Sequence, residues 1–299
     1  MTIEAFRTPD DAFTDLPGYA FRAHYVQDLP GYEGLRMHYL DEGPRDGEVI
    51  LCLHGEPSWA YLYRKMLPVF TAAGHRVIAP DFFGFGRSDK PVDDAVYSYG
   101  FHRGSLLRFL DHIGLNRFTL VCQDWGGILG LSLPVDRPDA IERLIVMNTA
   151  VPTGEINPGK GFMAWRDFVA NQPDFDVVSL MKRGTPGLSD AEAAAYGAPF
   201  DGPRSKAGVR TFPALVPIST DMEGADIGKQ ALEFWANEWS GPTFMAVGVQ
   251  DPVLGPPAMQ LLRSQIRGCP EPLMLEDAGH FVQERGDVVA EAALEHFGG

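Results

Sequence analysis

Three side chains in this 299-residue chain stand where covalent hydrolytic chemistry would need them. The segment Phe118-Thr-Leu-Val-Cys-Gln-Asp-Trp-Gly-Gly127 reads as an apolar strand that runs into an acid and two glycines. A nucleophile carried on a sharp strand-to-helix turn needs small flanking residues, because the backbone is pinched there. Gly126 and Gly127 leave room after the turn, and Cys122 is small enough before it. The apex residue is Asp124. Taken alone, Asp124 would serve equally well as the N-cap of the next helix. As an ionised carboxylate it is also a nucleophile that needs no base to attack.

Two further segments tip that balance. Phe244-Met-Ala-Val-Gly-Val-Gln-Asp251 is a strand ending in an acid, and Leu273-Met-Leu-Glu-Asp-Ala-Gly-His280 is a strand followed by a loop histidine. Either residue alone would be ordinary, Asp251 as a turn former and His280 as one of eight histidines. Together they give the order nucleophile, acid, histidine, each just past a strand, which is the order of triad members in α/β-hydrolases. A fourth strand, Val49-Ile-Leu-Cys-Leu53, opens into His54-Gly55-Glu56-Pro57. The backbone N–H of Glu56 can face the nucleophile there and, with that of Trp125, form an oxyanion hole. The glycines of Asp81-Phe-Phe-Gly-Phe-Gly-Arg-Ser88 lack the third glycine of a dinucleotide fingerprint, so a structural turn is expected.

The elements needed to hold these residues are legible as alternation. Val49–Leu53, Val77–Ala79, Phe118–Cys122, Leu144–Met147, Thr243–Val249 and Leu273–Leu275 are short apolar runs without period-two alternation. Such runs suit parallel strands covered on both faces. Helical patterns over 104–113 and 128–137 lie between them, which predicts an α/β fold with a mostly parallel sheet. The alternation stops after Asn148. Residues 152–228 hold eight prolines, several aromatics and no convincing strand. We therefore expect a core domain made of residues 1–151 and 229–299, with a helical cap inserted over 152–228.

Composition narrows the function classes. The net charge is −15, so the basic face that grips nucleic acid is not expected. No stretch of about 18 apolar residues suggests a membrane span, and the first ten residues do not read as a signal peptide. Cys52 and Cys122 lie inside apolar runs and read as buried thiols of a cytoplasmic protein, with no metal-ligand spacing.

The segments His54-Gly-Glu-Pro57, Asp81-Phe-Phe-Gly-Phe-Gly-Arg-Ser-Asp89, Gln123-Asp-Trp-Gly126 and Gly279-His-Phe-Val-Gln-Glu284 resemble those of haloalkane dehalogenases. These are capped α/β-hydrolases that convert haloalkanes and water into alcohol and halide. The likeness runs from about Arg36 to Glu284. One branch of that family has Asn at the position of Glu56 and takes its acid from the strand before the cap. Here that strand ends Val146-Met-Asn148, so the resemblance is to the other branch. It implies a catalytic triad of Asp124, His280 and Asp251 and two indole N–H groups on the halide, from Trp125 and the cap residue Trp165. It also implies an apolar pocket of Ile128, Phe162, Phe212, Pro213, Val216, Val253 and Leu254. Haloalkane, water and halide are then the only partners; no cofactor, metal, nucleic acid or membrane is implied, and the chain is taken as a monomer. An epoxide hydrolase shares the fold and the Asp nucleophile, but needs a tyrosine pair in the cap. Between Pro152 and Ser240 the only tyrosine is Tyr196.

Overall fold

The computed structural model describes residues 3–298. Its centre is an eight-stranded sheet of β1 (His24–Gln27), β2 (Arg36–Glu42), β3 (Val49–Leu53), β4 (Arg76–Pro80), β5 (Phe118–Gln123), β6 (Ile141–Met147), β7 (Thr243–Gly248) and β8 (Leu273–Leu275). The order across the sheet is β8-β7-β6-β5-β3-β4-β2-β1. All neighbours from β8 to β4 are parallel, and β2 joins β4 and β1 antiparallel. Every residue of β5 and β7 is buried. Helices cover both faces, so no side of a central strand meets water and the sequence shows no alternation.

The six expected strands are all present. The sequence reading did not anticipate β1 and β2. Arg36–Glu42 carries Arg36, His38, Asp41 and Glu42 and is fully buried at three of its seven positions, so its polar residues hide the strand pattern. The helix expected over 128–137 is displaced. Helix α3 (Asp124–Gly130) starts at the turn itself, and a 3-10 turn, Leu133–Val135, follows. Pro134 lacks the N–H needed to continue the α-helix. The other expected helix starts earlier, as α2 (Tyr99–His112), because the Ser98 hydroxyl caps it by accepting the Phe101 N–H at 3.0 Å.

Between β6 and β7 lie five helices and no strand: α4 (Gly159–Asn171), α5 (Val177–Gly184), α6 (Asp190–Gly197), α7 (Ala207–Leu215) and α8 (Ala225–Asn237). The expected boundary at residue 228 falls inside α8. Trp235 is fully buried and its indole N–H donates to the Leu131 carbonyl at 2.8 Å. Two helices complete the chain, α9 (Pro256–Gln265) and α10 (Gly286–Phe297).

Candidate active site

Steric constraint builds the turn after β5. Gln123 is extended and Asp124 has φ +51°, a left-handed conformation that costs a non-glycine residue about 1–3 kcal/mol. Neighbours hold it there. The Asp124 N–H donates to the Asn148 carbonyl at 3.0 Å, and its carbonyl accepts the Thr149 hydroxyl at 2.7 Å. The glycines are obligatory. A Cβ on Gly126 would stand 1.9 Å from the Leu53 carbonyl oxygen, and one on Gly127 would stand 2.1 Å from Thr149 Oγ1.

The Asp124 carboxylate meets two backbone donors. The Glu56 N–H reaches Oδ1 at 2.7 Å, and the Trp125 N–H also donates to the carboxylate. A Cβ on Gly55 would lie 2.4 Å from Oδ1, so the loop after β3 can approach only with glycine there. The Asp81 turn serves the same loop structurally. Its buried carboxylate accepts the N–H groups of Ala60 and Arg87, at 2.7 and 2.8 Å, and pairs with His38.

His280 lies across the carboxylate, with Nε2 3.6 Å from Asp124 Oδ2. Its Nδ1 stands 2.7 Å from Asp251 Oδ2. A carboxylate only accepts, so Nδ1 carries the proton. Asp251 is itself held by the Val253 and Leu254 N–H groups at 2.8 and 3.1 Å and by Asn148 Nδ2 at 2.9 Å. Burial pushes the Asp251 carboxyl up, but the His280 charge and these hydrogen bonds outweigh it and hold the group well below the usual carboxylate range. Burial pulls His280 down, while Asp251 and then Asp124 raise it further, to about 9. Burial raises Asp124; His280 and the two N–H donors oppose this in part. Glu56 is pushed well above its ordinary value by burial and by the neighbouring Asp124 charge.

These groups face a cavity of about 670 Å³, within the usual range for a small-molecule site. Ile128, Phe162, Pro213, Val216, Val253 and Leu254 line it with Trp125, Trp165 and Glu56. Phe212 is the exception among the expected pocket residues. It is fully buried and stacks behind Trp125, ring centroids 4.3 Å apart and planes at 15°. The next residue of α7, Pro213, lines the cavity in its place.

The five tryptophans divide by what their N–H groups meet. Those of Trp59, Trp235 and Trp239 donate to the Ala195 carbonyl, the Leu131 carbonyl and Thr243 Oγ1. Trp125 and Trp165 line the cavity, and among the described residues neither donates to a protein acceptor. Trp165 is set by aromatic packing on Phe168 and Phe175, at centroid distances of 5.7 and 5.5 Å. Among the described residues no tyrosine lines the cavity; the Tyr196 hydroxyl bonds Glu284 and Arg64 instead.

Sequence reasoning missed three residues around this centre: Gln123, Asn148 and Thr149. Each adjoins a strand end already singled out, and that position was the only available signal. Asn148 stands after β6 where no acid is present, and its amide binds Asp251, the acid that follows β7.

Known proteins are similar to this chain over nearly its full length. Residues 48–287 match the alpha/beta hydrolase fold family. A haloalkane dehalogenase of Psychrobacter cryohalolentis is 44% identical over 98% of both chains, and one of Mycolicibacterium paratuberculosis is 40% identical over the same share. The solved structure of haloalkane dehalogenase DpaA from Paraglaciecola agarilytica, described as tetrameric, superposes with a TM-score of 0.96 at 50% identity, covering 98% of each chain. With full-length relatives of this kind, the chain belongs to the haloalkane dehalogenase family of the α/β-hydrolase fold.

Proposed function

We infer that this haloalkane dehalogenase cleaves the carbon–halogen bond in two steps through Asp124. The observation that carries the reading is the Asp124 carboxylate, fixed by two N–H donors and facing an apolar cavity, with His280 on its other side. In the first step a carboxylate oxygen attacks the halogenated carbon. A C–O bond forms, the carbon–halogen bond breaks, and the halide leaves with the bonding pair. The indole N–H groups of Trp125 and Trp165 donate to the developing anion and offer it no competing acceptor. In the second step water adds to the Asp124 carboxyl carbon while His280 Nε2 takes a proton from it. Asp251 stabilises the imidazolium, and the N–H groups of Glu56 and Trp125 hold the oxyanion. Collapse expels the alkoxide, which takes the proton from His280 and departs as a primary alcohol. The restored carboxyl loses its remaining proton to solvent.

Residues 152–228 act as the cap, and Trp165 and Phe162 of α4 and Pro213 of α7 close the cavity over the core residues. Among the described residues no helix is long and apolar enough to cross a membrane. Cys52 and Cys122 are free, buried thiols raised by burial, which supports a cytoplasmic setting. The monomer expected from sequence has a counter-case in the tetramer described for the P. agarilytica enzyme. Light scattering, at 32.8 kDa per chain, decides between one chain and several.

His280→Phe tests the division of labour. It should release one halide per chain and then stop, leaving an alkyl adduct on Asp124 visible by mass spectrometry. Continued turnover, or substrate binding without any adduct, would remove these roles.

A further inference from the structure

His280 Nε2 is the atom that must accept the proton from water, and in this structure it already has a partner. Gln123 Nε2 lies 2.9 Å from it. The same amide nitrogen also donates to the His280 backbone carbonyl at 3.2 Å. That second bond fixes the orientation of the amide. A carbonyl oxygen accepts only, so the atom facing it must be the NH2 of Gln123 and not Oε1. One amide hydrogen therefore goes to the carbonyl and the other points at the imidazole. This bond is favourable only to an unprotonated Nε2, because a protonated one would place donor against donor.

We propose that Gln123 is a positioning residue that opposes protonation of His280 by directing an amide hydrogen at the Nε2 lone pair, which favours the form that can act as base over the form that pairs with Asp124. The proposal rests on the two-step reading given above. The side chain is fully buried, and its Oε1 has no protein partner, so hydrogen bonding to His280 is what orients it.

The charges around His280 make such a device necessary. Asp251 faces it from the loop after β7 and Asp124 from the turn after β5, and both favour the imidazolium. From α5 the contact is the Gly184 carbonyl, which accepts the His280 backbone N–H at 3.0 Å and adds no charge. An imidazolium there would pair with Asp124 only 3.6 Å away, weaken the nucleophile and leave no base for the second step. A hydrogen bond to the neutral form opposes that outcome. Once Asp124 is an ester its charge is gone, and water can displace the amide hydrogen from Nε2. The O–H bond of water then breaks toward Nε2 as its oxygen bonds the ester carbon. The bond from Gln123 to the backbone carbonyl keeps the side chain in place meanwhile.

The test is a histidine-labelled NMR titration of substrate-free wild type, Gln123→Met and Gln123→Glu, with His280→Phe assigning the resonance. Met keeps the length but donates nothing, and the His280 pKa should rise by about one unit. Glu presents an acceptor and a charge, and should raise it further while keeping the shape of the side chain if Met disturbs folding. The acid limb of ester hydrolysis, followed after a single turnover, should move upward in the same order. An unchanged His280 pKa in the folded variants overturns the proposal. So does a slower rate at every pH with the limb unmoved, which would make Gln123 a packing residue. Because the titration uses free protein, it stands apart from the two-step reading, which fails instead if wild type releases no halide.

Discussion

An indole N–H that lines an apolar cavity without a protein acceptor is a donor awaiting an anion. Trp125 and Trp165 both have this character, while the remaining tryptophans spend their donors on the fold. Trp165→Phe keeps the ring and its packing on Phe168 and Phe175 but deletes the donor. Halide binding, read by quenching of tryptophan fluorescence, should weaken by roughly 1.5–3 kcal/mol, the worth of a charge-assisted hydrogen bond. Trp239→Phe, whose indole is engaged with Thr243, should leave halide affinity unchanged. Equal losses in the two variants would take Trp165 out of the halide site. At this scale Asp124, Asp251 and His280 were legible because each follows a strand in a fixed order. Phe212 behind Trp125 was not, since a sequence names the residues of a helix without saying which way each one faces.

At the scale of elements, the inserted helices are tied to the core by a buried ion cluster. Arg64 stands before α1 (Leu67–Ala72), and its side chain is 2% exposed. It reaches both oxygens of Glu284, at 2.6 and 2.7 Å, and Glu192 of α6 at 2.7 Å, and lies over the Tyr61 ring. Tyr196, also on α6, bonds Glu284. Arg64→Leu leaves the buried Glu284 carboxylate with Lys65 Nζ, 2.9 Å away, as its remaining cation, and should lower stability by about 3 kcal/mol. Adding Glu284→Leu should recover part of that loss. Thermal or denaturant unfolding of the single and double variants checks both statements. Burial pushes Glu192 up, but the Ser189 and Arg64 hydrogen bonds outweigh it and bring it from 4.5 to about 2. Its folded value is the lower one, so its contribution is full above 4.5 and is lost as pH falls toward 2. This tie was invisible in the sequence, because Arg64, Glu192 and Glu284 follow no local pattern and meet only when the fold is complete. The buried parallel strands were legible for the opposite reason, since their burial is written as uninterrupted apolar runs.

For the molecule as a whole, the cavity of about 670 Å³ sets the reach of the enzyme. Each methylene moved from water to its apolar wall gains about 0.8 kcal/mol. Along a series of terminal bromoalkanes KM should therefore fall roughly fourfold per added carbon until the space is filled. A flat response from the shortest member onward would mean that the distal wall contacts nothing. The sheet order has a consequence for how the protein comes into being. Asp124 leaves a central strand, whereas Asp251 and His280 follow the two strands at one edge, and the helices of residues 152–228 intervene in the chain. During synthesis Asp124 emerges long before Asp251 and His280. The contacts that join them span more than a hundred residues and are formed late and slowly. A nascent chain ending before β7 can hold the turn at Asp124 but has neither Asp251 nor His280. On the two-step reading, the means to regenerate Asp124 arrives only with residues 251–280, and a ribosome stalled ahead of them would carry no enzyme able to turn over.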